Sequence, residues 1–445
     1  MSTPRIVELA IRIAANTSKV SDYLAANNLP QPSFDLDTPP YGAVPKDAPE
    51  IEALRQSVLE DTSELRHLML GPREYLLSFV HNALLPQQAV TRFGLARNLP
   101  VGSETTIAEM AASSGLAESN VRKLVRYAVT QRIFDEPRPG VIAHSAASRL
   151  LAEDPGVHDF VATCSDELWQ AATQTCNAMA KFPESEEPTE TGFSLANNTS
   201  KPMYEFLSDY PERSSRFANM MNFSLRFFSS LDSYGLEEIE ELLERGFTEG
   251  RAFDLRYITD SYPWEQHSGG TFVDVGGSQG FVCVALARKF PSISFIVQDL
   301  EPVVMEARKN LPSDVASQIS FMTHDFFTSQ PVSGADIYFF RWIFHNWSDK
   351  YGVEILRSLI PALKPGAKII VSEAILPGPG EMPKGMETRM RSFDLVMTAI
   401  QNAKERELGD WAELFRNADK RFELQEPIRP PGSNHSILVA VWKGS

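Results

Sequence analysis

From about residue 270 short β-branched runs alternate with helical runs, and no other feature of this sequence restricts its fold so strongly. Phe272-Val-Asp-Val275 gives way to a helical run from Phe281 to Lys289. Then come Ile293 to Val297, Val303 to Asn310, Ile319 to Met322, Ile337 to Phe340, Val353 to Leu363 and Lys368 to Val371. Strand and helix in alternation make βαβ units, which need a parallel sheet covered by helices on both faces. The stretch His435 to Trp442 predicts one last strand. The expected class is α/β, a Rossmann-like sheet with a mainly helical N-terminal half.

A chain of 445 residues predicts two or three domains. Pro4 suits a first helical position, with Ser2 or Thr3 as cap, and Ile6, Leu9, Ile13, Val20 and Leu24 recur at helical spacing. Such a stripe must dock on its own domain or on another subunit. Prolines 30, 32, 39, 40, 45 and 49 mark an extended linker. A second helical pattern from Pro49 carries Ile51, Leu54, Val58 and Leu65. Residues 103–150 read as helix, turn, helix, hairpin: Thr105 or Thr106 caps the first helix, Ser114-Gly115 turns, Ser119 caps the second, and Pro137-Arg-Pro-Gly140 turns the hairpin. That is a winged-helix pattern. Its six basic and five acidic residues give a net charge of +1, a weak footprint for DNA. Residues 151–255 read as mostly helical, with Pro183 to Pro202 as a loop. The expected units are 1–60 (N-terminal helices and linker), 61–152 (winged helix), 153–255 (helical substrate-binding region) and 256–445 (cofactor-binding domain).

Composition narrows the partners. The net charge of −16 repels phosphate backbones, so nucleic acid is not expected as a partner. The longest apolar run, Phe281 to Ala287, is far short of the ~20 residues a membrane span needs. Nothing at the N-terminus reads as a secretory signal. Three cysteines, Cys164, Cys176 and Cys283, fit a reducing, cytoplasmic setting and supply no multi-cysteine zinc site.

The loop Gly276-Gly-Ser-Gln-Gly280 lies between a strand end and a helix start. Gly276 and Gly277 let the backbone turn sharply beside a ligand, and Gly280 allows close strand–helix packing. Asp299 follows Gly280 by nineteen residues at the tip of the next strand, where a carboxylate can accept both hydroxyls of a ribose. A dinucleotide loop would carry glycine at the place of Ser278, and the carboxylate of Asp274 would repel a pyrophosphate. It suits a cationic amino acid moiety instead. S-adenosylmethionine (SAM), with a ribose, a sulfonium, an ammonium and no phosphate, fits this set. Asp325 and Phe326 end the following strand, where an acid and an aromatic can take the adenine amino group and ring face.

These segments resemble the SAM-dependent O-methyltransferases of the caffeic acid and flavonoid type, in their fungal secondary-metabolite branch. The matching stretches run in order: Asp274 to Gly280, Val297 to Leu300, His324 to Phe327, Phe339 to Asp349, Ser372 to Pro377 and Ala403 to Arg406. The resemblance spans roughly residues 60–445. It implies that the winged helix dimerises rather than reading DNA, making the protein a homodimer. It implies that His345 is the general base and that Glu373 and Glu405 flank it and orient its ring. A phenol ionises near pH ~10, and an imidazole near ~6.5 is well placed to take its proton. Arg341 stands where plant members often carry Lys and would cover the nucleoside. Where the family pattern is His-Asp-Trp, this chain has His345-Asn346-Trp347. No cluster has metal-ligand spacing, so divalent-metal chemistry is not expected.

The expected activity is methylation of a phenolic or enolic hydroxyl on a small hydrophobic aromatic molecule. Trp169, Met220, Phe223, Trp342 and Met397 are the candidate wall of its pocket, although Met and Phe at helical spacing also suit a core. Two rivals remain: a SAM-binding enzyme that directs a dehydration or pericyclic step without methylating, and a winged-helix regulator with a SAM sensor. The retained His345, Glu373 and Glu405 weigh against both, and the net charge weighs against the second.

Overall fold

The computed structural model describes residues 3–40, 44, 48–228 and 255–444. In the N-terminal half a three-stranded antiparallel sheet has the order β1 (Glu104–Thr106), β3 (Val141–His144), β2 (Phe134–Arg138). Two helices, Ile107–Ser114 and Glu118–Thr130, pack on each other and on this sheet. Thr106 caps the first helix by accepting the amide of Glu109, whose carboxylate takes the Thr106 amide in return, and Gly115 ends it in the left-handed region. The second helix is entered through Ala117, not Ser119, which lies inside its first turn. Three of the basic residues here, Arg122, Arg126 and Arg138, pair with Glu118, Glu136 and Glu104.

The first helix, Arg5–Ala26, starts one residue after the cap Pro4 and packs on Pro49–Leu77, a helix that runs through residue 60. Leu9, Val20 and Leu24 are buried as the stripe predicts, whereas Ile6 stays exposed and Asn16 is buried in its place, with its amide on Ser57. The segment 183–202, expected to be a loop, contains the helix Gly192–Asn197, capped by Thr191. Its polar composition hides it. Gly192 packs so tightly that a Cβ would meet the Ala171 carbonyl at 2.3 Å. Of the helical region, residues 229–254 lie outside the described residues.

The C-terminal half holds a seven-stranded sheet. Its order is β11 (Phe422–Leu424), β12 (Ser436–Trp442), β8 (Lys368–Glu373), β7 (Ile337–Arg341), β4 (Thr271–Val275), β5 (Ser294–Asp299), β6 (Ile319–Thr323). Strands β6, β5, β4, β7 and β8 are parallel; β12 joins β8 antiparallel, and β11 joins β12 antiparallel. The central strands are buried on both faces, which is why they read as apolar runs rather than alternations. Successive side chains feed opposite cores. Phe272, Phe295 and Phe339 pack with Leu286 and Trp264 on one face, and Val273, Tyr338 and Phe340 with Leu356 and Trp411 on the other. Chain order reverses between β4 and β7, so the carboxyl ends of these two strands open the crevice where ligands bind in such sheets. Among the described residues no helix is long and apolar enough to cross a membrane, and no group of His, Cys, Asp and Glu is set to hold a metal.

Candidate active site

The loop after β4 is folded back onto β5. The amides of Gly276 and Gly277 donate to the Gln298 carbonyl at 2.8 and 3.0 Å. Gly276 has φ 73°, and a Cβ there would come within 2.6 Å of Ile343 Cδ1; one on Gly277 would come within 2.5 Å of Asp274 Cγ. The loop therefore admits no side chain at either place, and it lies against both the acid beneath it and the turn after β7. The amide of Gly280 closes the loop on the Gly277 carbonyl at 2.8 Å and opens the helix Phe281–Lys289.

Asp299 ends β5. Its Oδ2 accepts the Ser278 amide at 2.9 Å and its Oδ1 the Leu300 amide at 2.8 Å. Each oxygen keeps lone pairs for a further donor. Asp274 is almost fully buried; the Cys283 thiol donates to it at 3.4 Å, and burial pushes its pKa up to about 7. Arg341 is near enough to oppose that rise. Phe326 sets a ring edge beside Gly276, and the exposed Asp325 accepts the Phe327 amide at 3.0 Å.

The second half of the site is the turn after β7. Trp342 has φ 57°, an unusual conformation for a bulky residue and one that surrounding contacts must hold. Its indole lies between two imidazoles, 4.9 Å from His345 and 4.2 Å from His435. Asn346 donates to the Trp342 carbonyl at 3.0 Å and accepts from Gln401 at 3.1 Å. The 3₁₀ turn Phe344–Asn346 then presents His345, whose ring stacks 6.0 Å from Phe393.

His345 Nδ1 faces Glu405 Oε1 at 3.1 Å, with both side chains about 95% buried. An ionised carboxylate only accepts, so this contact puts a proton on Nδ1 and leaves Nε2 as the basic nitrogen. Glu373 is placed differently. Its Oε1 accepts the amides of Ile343 at 2.7 Å and Phe344 at 2.6 Å, so it holds the backbone of the turn, and it is near enough to His345 to interact with its charge. Its buried Oε2 has no partner, and burial pushes its pKa up to about 7. The geometry thus brings together a buried histidine hydrogen-bonded to one carboxylate, a glycine loop and the Asp299 carboxylate at the end of β5.

The family model of the O-methyltransferase domain matches residues 219–420. A grayanic acid biosynthesis cluster O-methyltransferase from Cladonia grayi is 38% identical over 98% of this chain and 88% of its own length. The chain belongs to the O-methyltransferase family. A chlorophenol O-methyltransferase from Trichoderma longibrachiatum is 36% identical over 98% of this chain and 90% of its own. The crystal structure of OxaC superposes with a TM-score of 0.71 at 22% identity, covering 98% of this chain and 99% of that one, a likeness of fold. The protein is therefore an enzyme, a SAM-dependent O-methyltransferase with the α/β sheet that the sequence led us to expect.

Within this O-methyltransferase the five candidate wall residues separate. Met220 and Met397 share one apolar cluster with Phe193 and Phe217, while Trp342 sits beside His345. Phe223 packs on Phe160 and covers Gly156. Trp169 is half-buried on the helix Trp169–Lys181, which packs against Lys384–Gln401. Sequence reading overlooked Phe393, Gln401, His435 and the role of Arg406. Phe393 and Gln401 each lie four residues, one helical turn, from Met397 on Lys384–Gln401, so helical spacing was the available signal for the first two.

Proposed function

We propose that this enzyme methylates a phenolic or enolic hydroxyl of a hydrophobic aromatic secondary metabolite, with His345 as general base. The buried His345–Glu405 pair carries the reading. His345 Nε2 takes the hydroxyl proton, and Glu405 stabilises the imidazolium that forms, as a carboxylate does for any base it orients. Glu373 keeps the turn in place through two amides. Asp299 holds the ribose hydroxyls of SAM, the glycine loop gives its backbone room, and Phe326 with Asp325 flanks the adenine. Asp274, near neutrality when the loop is empty of charge, favours its ionised form beside a cationic ligand. SAM, when bound, supplies an electrophilic methyl on sulfur. Alignment contributes up to about 7–11 kcal/mol, against ~10²–10⁴-fold from the base.

Residues 61–152 are read as the dimerisation unit, through an exposed apolar surface near their start. Met69, Leu76, Leu77 and Phe79 are each at least 68% exposed, a patch that a second copy of the chain would cover. A reducing, cytoplasmic setting and a small-molecule substrate complete the proposal. The test is S-adenosylhomocysteine release, followed by mass spectrometry, for wild type and His345→Ala against a library of phenols. His345→Ala should release far less while still binding SAM. Equal release from both proteins removes His345 from the mechanism, and product without S-adenosylhomocysteine favours a non-methylating step.

A further inference from the structure

We propose that Arg406 is a positioning residue for the base: its guanidinium grips the backbone on both sides of His345. This rests on the reading of His345 as base. Arg406 is 1% exposed. Its Nη1 donates to the Phe344 carbonyl at 2.8 Å and its Nη2 to the Trp347 carbonyl at 2.8 Å. Its Nε donates to Asp349 Oδ1 at 2.9 Å, and its plane lies 5.4 Å over the Trp411 ring. Phe344 and Trp347 bracket His345-Asn346. From the other side Glu373 takes the amides of Ile343 and Phe344. One cation thus holds the carbonyls of the turn and one carboxyl group holds its amides.

The turn needs this. A three-residue 3₁₀ segment has few hydrogen bonds of its own, and it follows Trp342 in a left-handed conformation. Two carbonyls three residues apart match the fixed fork of an arginine; a lysine is a point donor and can serve only one at its best geometry. The charge itself argues for a task. Asp349, its acid partner, has a side chain 43% exposed and is shared with Lys404 at 2.6 Å. A buried guanidinium with so weak a counter-charge adds little stability over an apolar side chain packed on Trp411. Glu405 and Arg406 are consecutive, and β10 (Arg406–Glu407) is fixed parallel to β9 (Ile375–Leu376), just beyond Glu373. Glu405, just before this short strand, therefore meets the ring, and Arg406, its first residue, holds the backbone.

The test is hydrogen–deuterium exchange at C2 of each histidine, resolved by peptide mass spectrometry across pH. It reports the access and titration of individual imidazoles and needs no substrate. In Arg406→Lys, His345 should exchange several-fold faster, with a titration midpoint displaced from that of wild type. His144 and His158, held in other elements, should keep their rates. Arg406→Gln, neutral and able to donate to one carbonyl, should do the same and covers a failure of the lysine variant to fold. The proposal is overturned if His345 exchanges as in wild type in both variants. It is also overturned if all eight histidines accelerate together, which would make Arg406 a fold-stabilising residue only. A failure of His345 to act as base would show separately, in S-adenosylhomocysteine release by His345→Ala, and would leave this exchange pattern unchanged.

Discussion

Replacing Glu373 by Gln should make the protein relatively more stable as pH rises. Glu373 is 1% exposed, and burial moves its pKa from an ordinary 4.5 to about 7. Below 4.5 the group is protonated whether the chain is folded or not. Between 4.5 and about 7 the unfolded chain gives up the proton and the folded chain keeps it, so folding loses stability with each step in pH. Above about 7 both forms are ionised and the loss is complete. At 1.36 kcal/mol for each unit of pH, the loss comes to about 3 kcal/mol. Gln cannot ionise, and its carbonyl oxygen can accept the same amides of Ile343 and Phe344. Its NH₂ occupies the place of Oε2, which has no partner, at a cost of about 1–3 kcal/mol that does not vary with pH. Asp274, also raised to about 7, contributes the same fall to both proteins and cancels in the comparison. The assay is urea unfolding followed by tryptophan fluorescence at about pH 5 and about pH 8. The stability of Glu373→Gln relative to wild type should rise by about 2.5 kcal/mol between them, the remainder of the loss lying below pH 5. A difference that does not change with pH, or that moves against the variant, would show that Glu373 is ionised in the fold throughout and would refute the argument.

Three further outcomes follow from the site. Asp299→Ala should weaken SAM binding roughly ten- to hundredfold, the worth of hydrogen bonds to a charged acceptor, and calorimetry showing unchanged affinity would remove Asp299 from the ribose site. Asn346→Asp, which restores the common family residue, should lower turnover roughly ten- to hundredfold here, because a carboxylate cannot donate to the Trp342 carbonyl; wild-type kcat would sink the reasoning. Leu76→Glu with Leu77→Glu should give a monomer by light scattering where wild type is a dimer, and a wild-type protein that is itself monomeric at micromolar concentration would refute the interface.

The parts of this structure that could be read from the sequence are those where one short segment determines its own state. The doubly buried strands declare themselves as apolar runs, Thr106 and Glu109 form a capping box within four residues, and the glycine loop sits in the strand–helix junction that requires it. Ser119 misled because Ser, Thr and Asp compete as caps wherever they cluster near a helix start, and the backbone turned extended at Ala117 instead. The site is a different case. Glu373 is thirty residues from the amides it holds and reaches them only because β7 and β8 are neighbours in register, Arg341 opposite Ser372. The resemblance implies that this carboxylate flanks His345; the register sets its hydrogen bonds on the backbone one and two residues before it.

That distinction changes what conservation of charge at such a site would mean. Two carboxylates near one histidine share an electrostatic role, yet of the two only Glu405 hydrogen-bonds the ring, while Glu373 acts on it through space. Glu373 also holds the shape of the turn, and burial raises its pKa to about 7, so that near pH 7 it is partly protonated and adds less than a full second negative charge beside the ring. Were both carboxylates ionised beside the ring, they would hold the imidazolium charged and oppose the release of its proton after each turnover. With Glu405 on the ring and Glu373, partly protonated near pH 7, on the turn, the imidazole is held in place without two full negative charges beside it.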